Sequence, residues 1–183
     1  MKKAVLLSAF LIVASAVAGG VLPAKPYVGL FADGAHGITS VNPATFVSFQ
    51  LWIWWLPSEH GLMATEYRVA MPSNVIALSM VSNPDLQVLL GCPLFGENYL
   101  CAYFSSCMAD WVYTHRLACM LTAPTPGFIE ILPRSSESVI WAANCEEGYP
   151  MEAVTILNKF GINRDAVIAV EPQTWGAIKS LYR

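Results

Sequence analysis

The sequence predicts an all-β protein: a single antiparallel β-sandwich of immunoglobulin or fibronectin-like type, closed by a short C-terminal helix. Three observations predict it. Short apolar runs recur along the chain between clusters of Pro, Gly, Asn and Asp, the pattern of a sandwich or barrel. The clearest run, Phe46 to Leu56, alternates with period two, as a strand with one face on a core does. No strand–helix–strand alternation occurs, so a parallel α/β sheet is not expected.

Export comes first in chain order. Lys2 and Lys3 precede an uncharged apolar run, Ala4 to Val13, and "ASAVAGG" follows with Ala16 and Ala18 in the A-x-A arrangement. This is the layout of a secretory signal peptide. Residues 1–18 are expected to be removed after Ala18, with cleavage after Ala16 as the alternative. The run is too short to span a hydrocarbon core of ~30 Å, and no cysteine stands near the cut to carry a lipid. Residues 19–183 then form one domain, secreted, periplasmic or on the cell surface, with no membrane span. Lys2 and Lys3 leave with the signal, so ten basic residues become eight against thirteen acidic ones, a net charge of −5. Nucleic acid and anionic membrane are poor partners for such a surface. Charged residues are only 13% of the chain and hydrophobic ones 55%, which requires a large core or an apolar patch that meets a partner.

The strands follow. Tyr27 to Phe31 ends at "ADGAHG". Phe46 to Leu56 carries Val47, Phe49, Leu51, Ile53 and Trp55 on one face, and Phe46, Ser48, Gln50, Trp52 and Trp54 on the other. In Leu62 to Met71, Glu66 and Arg68 mark the wet face. Val75 to Val81, Leu86 to Leu90, Tyr99 to Phe104, Trp111 to Leu121, Phe128 to Leu132, Val139 to Ala142, Val154 to Lys159 and Ala166 to Val170 complete the set. Trp111 to Leu121 alternates less cleanly, placing Tyr113, His115, Leu117, Cys119 and Leu121 on one face. Beyond Pro172, Thr174 caps a helical tail over 174–183, in which Trp175, Ile178 and Tyr182 fall on one face with Leu181 beside them. About nine residues are too few to hold a helix unaided, so this stripe is expected to dock on an apolar site.

A signal peptide, a β domain containing "SSCMADWVYTH" and a closing "TWGAIKSLYR" together resemble secreted β-sandwich proteins of bacteria that have no assigned activity. The resemblance spans most of the mature chain and implies export and a sandwich, not a function.

Candidate chemistry is sparse. Five cysteines, Cys92, Cys101, Cys107, Cys119 and Cys145, lie in the exported part, where disulfides form. An odd count leaves one thiol free or shared between chains. Cys101 and Cys107 flank a short stretch and are the first candidates for a bridge. No C-x-x-C pair or His spacing points to zinc, and no motif points to a cofactor. A nucleophile site of Cys107, His115 and Asp110 can be drawn, the basis for an alternative reading as a small envelope hydrolase, but no shared motif fixes its geometry. Trp52 and Trp54 point away from the core face. Covered, they are packing; open, they are two rings about 6–7 Å apart from the ~3.3 Å rise per residue, suited to a sugar or a protein. The expected function is a non-catalytic binding or assembly module of the cell envelope, partnered by an envelope protein or a glycan, with a carbohydrate-binding module built on Trp52 and Trp54 as the first alternative.

Overall fold

A computed structural model describes residues 26–90 and 100–168. The described residues form thirteen strands and no helix: β1 (Tyr27–Phe31), β2 (Ser40–Val41), β3 (Ser48–Leu56), β4 (Leu62–Ala70), β5 (Val75–Ser82), β6 (Leu86–Leu90), β7 (Leu100–Met108), β8 (Val112–Leu121), β9 (Gly127–Leu132), β10 (Ile140–Ala143), β11 (Met151–Ile156), β12 (Asn158–Ile162) and β13 (Val167–Ile168). One layer runs β11-β1-β3-β8-β5, and the other is built on β10-β4-β7-β6, with β9, β12 and β13 extending from β4. β10 pairs with both β4 and β11, so it carries hydrogen bonding from one layer to the other.

The all-β sandwich expected from the sequence is present. The immunoglobulin or fibronectin-like arrangement is not reproduced: β1 runs parallel to β11 and β2 parallel to β12, whereas the immunoglobulin fold has two antiparallel sheets of seven to nine strands. The signal segment 1–18, Cys92 and the tail 174–183 lie outside the described residues.

Period-two alternation builds the core. In β3, Leu51, Ile53 and Trp55 are fully buried while Trp52 and Trp54 between them are half-buried. From β4, Thr65, Tyr67 and Val69 point inward, while Glu66 meets Arg134 at 3.6 Å and Arg68 donates to the Pro133 carbonyl on the outside. Trp55 packs on Tyr67 across the gap with ring centroids 5.5 Å apart. Each large apolar side chain enclosed this way contributes about 1.5–3 kcal/mol.

Val154 to Lys159, one expected strand, is two. β11 ends at Ile156 and β12 starts at Asn158. There the Asn158 carboxamide replaces a strand partner, accepting from Leu30 N at 2.9 Å and donating to Leu30 O at 2.7 Å. The chain thus leaves β1 for the extension without abandoning a buried peptide group, which would cost about 1–3 kcal/mol.

Among the described residues a disulfide joins Cys107 to Cys145, with Cα atoms 5.7 Å apart, and corrects the expected Cys101–Cys107 pair. Cys101 and Cys107 share β7, six residues apart, roughly 20 Å at ~3.3 Å per residue, and no bridge spans that. Among the described residues Cys101 and Cys119 are free. Gly61 lies against the bridge: its φ is +76°, and a Cβ there would collide with both sulfurs. Closing a loop of 38 residues restricts the unfolded chain by about 4 kcal/mol on the chain-entropy model. Peptide mapping of non-reduced protein is expected to recover Cys107 linked to Cys145, and Cys107→Ser with Cys145→Ser to lower stability by about 2–4 kcal/mol in urea titration. A Cys101–Cys107 peptide would contradict the connection.

Candidate binding face

The outward face of β1, β3, β8 and β5 is set by register. Phe31 lies opposite Trp52, Gly29 opposite Trp54, Trp52 opposite Arg116 and Trp54 opposite Tyr113. Further along, Gln50 meets Ala118 and Ser48 meets Met120, and these face Ser79 and Ile76 of β5. One end of the face is therefore aromatic, and at the other Ala118, Met120 and Ile76 stand among Ser48, Gln50 and Ser79.

A bulge makes this possible. Ile53 pairs with His115 but Trp54 pairs with Tyr113, so Thr114 is an extra residue in β8. Thr114 and His115 both turn inward and are fully buried. Tyr113 is thereby moved to the outer face, not to the inner one that strict alternation predicts. From the opposite layer the Tyr67 hydroxyl bonds both bulge residues, at 2.6 Å to Thr114 Oγ1 and 2.9 Å to His115 Nδ1. Burial pushes Tyr67 far up and brings His115 down to about 4, because no carboxylate offsets the loss of hydration.

Trp52 and Trp54 stand nearly parallel, 19° between planes and 5.9 Å between centroids. Their surroundings are occupied. Tyr113 meets both edge-on, at 4.9 and 5.4 Å, and the Arg116 guanidinium lies 5.2 Å over the Trp52 ring. The loop after β1 folds over them: Asp33 Oδ1 accepts from Gly37 N and Ile38 N, its carbonyl accepts from the Trp54 indole at 3.3 Å, and His36 meets Trp54 edge-on while stacking on Trp111 at 4.2 Å. The pair is a half-covered packed cluster rather than a bare platform. Phe31, His36, Trp111 and Tyr113 belong to it and were not legible beforehand, since a bulge and a loop bring them in.

The other end is open. Phe46 is 70% exposed, and Val47, Ile76 and Leu78 are also exposed, while exposed Val81 lies opposite Arg116 at the aromatic end. Phe46 has a φ of +64°, a left-handed conformation that is a true outlier for a bulky side chain. Its amide donates to Leu121 O at 2.8 Å, so the strained residue is held, not frayed. Among the described residues β5 ends its sheet, with Leu78 as a bulge residue outside the β5–β8 pairing that interrupts that edge. A smaller apolar patch, Trp141, Tyr149 and Met151, lies at the β10–β11 hairpin.

The drawn nucleophile site does not assemble. Cys107 is held in the disulfide, His115 is inside the sandwich, and Asp110 is exposed with Oδ1 accepting from Trp111 N. Among the described residues no group of three His, Cys, Asp or Glu is placed to hold a metal.

The fold so defined is that of cohesin modules. Similar solved structures include the cohesin module of a family 33 glycoside hydrolase from Clostridium perfringens, with a TM-score of 0.54 and 7% identity over 79% of this chain and 96% of that one. A cohesin–dockerin complex of type I from Clostridium thermocellum gives 0.53 and 7% over 75% and 92%. A non-cellulosomal cohesin from the archaeon Archaeoglobus fulgidus gives 0.51 and 8% over 85% and 98%. At these identities the likeness is one of fold. No protein-family model and no curated protein matches the sequence.

His115 makes stability depend on pH. Its folded value lies below the 6.5 of an exposed imidazole, so the unfolded chain binds the proton first. Its contribution is whole above pH 6.5 and is lost as pH falls toward 4, a span of roughly 3 kcal/mol. Urea unfolding of wild type and His115→Gln between pH 4 and 7 is expected to show the wild type losing more stability on acidification. Equal slopes would place His115 in a hydrated site.

Proposed function

We propose that this chain is an exported, non-catalytic module that binds another protein at or outside the cell envelope, through the outward face of β1, β3, β8 and β5. The observation that carries this reading is Phe46, a large side chain just before β3 that is held in a strained backbone conformation and presented to solvent next to exposed Val47. Folding alone gains nothing from that arrangement, and strain of this kind gathers where a ligand is met. Exposed aromatics rimmed by apolar side chains are the anchors of protein interfaces. The likeness to cohesin modules, one of them in complex with a dockerin, supports a protein as the ligand. Export to the envelope rests on the signal segment 1–18, with intact mass of native protein expected to start at Gly19.

Phe46→Gly separates fold from function. Glycine relieves the left-handed strain, so the free domain is expected to gain about 1 kcal/mol, read as a raised melting temperature. Capture of the native partner from envelope extract is expected to weaken at least tenfold. A stabilised variant that still captures the partner at full strength would remove this face from the function.

The near-parallel Trp52 and Trp54 favour one second reading, a glycan ligand. Trp52→Ala with Trp54→Ala abolishing retention on a glycan column, with Phe46→Gly inert, would favour it.

For the tail 174–183 we propose docking of Trp175, Ile178, Leu181 and Tyr182 on the sandwich itself. Deleting 174–183 is then expected to lower the melting temperature of the monomer. An unchanged temperature with lost surface retention would make the tail a sorting element.

A further inference from the structure

We infer that the open cleft at the aromatic end of this face takes a cationic side chain, a lysine ammonium or arginine guanidinium presented by the protein partner. The inference rests on the protein-binding reading above and adds the chemistry of the residue the partner inserts. The cleft has a volume of about 420 Å³ and is lined by Trp54, Trp111 and Tyr113 together with Asp85 and Asp110. None of its described lining residues is basic, and the ion pairs among the described residues leave both aspartates without a cationic partner. Among the described residues Asp110 Oδ1 accepts only from the Trp111 amide next to it. The Asn83 amide is engaged with Tyr113 O and Asp85 N, so it fixes the aspartate loop against β8. Two carboxylates and three aromatic π-systems in one cleft make it attractive to a cation and repellent to an anion. A neutral sugar would leave both charges uncompensated. Two bases lie close by without lining the cleft: Arg116 is held over Trp52, and His36 stacks on the Trp111 ring.

The test is an NMR titration of the ¹⁵N-labelled domain with Nα-acetyl-arginine amide and Nα-acetyl-lysine amide, with Nα-acetyl-glutamate amide and cellohexaose as comparison ligands. The Trp54 and Trp111 indole signals are expected to move with the two cations at millimolar concentration, less at higher salt, and not with glutamate. Asp85→Asn with Asp110→Asn is expected to weaken the effect about tenfold. Asparagine keeps the acceptor used by Trp111 N, and the spectrum itself reports that the variant is folded. Unmoved indoles, shifts of equal size in the double variant, or shifts with cellohexaose and not with the cations would each overturn the inference. Partner capture lost in Phe46→Gly but intact in the double asparagine variant would sink the cleft and leave the module reading standing.

Discussion

The Tyr67 hydroxyl, reaching from one layer of the sandwich to the bulge in the other, is the contact on which the rest of the structure depends. Thr114 is one residue too many for the pairing of β3 and β8, and an unsupported bulge inside a core would leave polar side chains without partners. Tyr67 bonds Thr114 and His115 together, so the bulge is stable where it stands. Everything outward follows from its position. Tyr113 turns to the surface, Trp54 acquires an edge-on neighbour, and the aromatic cluster forms beside the cleft. The cost is a core holding a neutral histidine, with Nε2 of His115 and the Trp55 indole lacking partners among the described residues.

Much of the fold was legible because period two is a strong signal where a strand has one wet face. Leu51, Ile53 and Trp55, and Tyr67 and Val69, are buried as their spacing requires. The signal fails where the backbone breaks the period. Trp111 to Leu121 reads imperfectly because Thr114 shifts every residue before it to the opposite face. Leu78 does the same in β5. Asn158, polar within an apolar run, in fact marks the corner between β11 and β12, since its side chain serves as a strand. Chain proximity also misled: Cys101 and Cys107 are close in sequence and far apart along a strand, while Cys145 arrives from the β10–β11 turn.

Trp52 and Trp54 show why a site is harder to read than a fold. Their outward direction follows from alternation, but their coverage depends on the loop holding Asp33, Gly34 and His36, which no periodicity describes. The same face is half-covered at one end by that loop and open at the other, where Ile76 and Leu78 meet solvent. A protein surface with a packed aromatic end and an open second end is suited to a partner that covers the apolar part and reaches a charged group into the acidic cleft.

Hydroxyl-radical footprinting of the domain, alone and bound to its captured native partner, tests the central claim most directly. Protection of Phe46, Leu78 and Met120, with Trp141, Tyr149 and Met151 unchanged, is the predicted result. Protection of Trp141, Tyr149 and Met151 with Phe46 still reactive would place the partner on the β10–β11 hairpin and contradict the account.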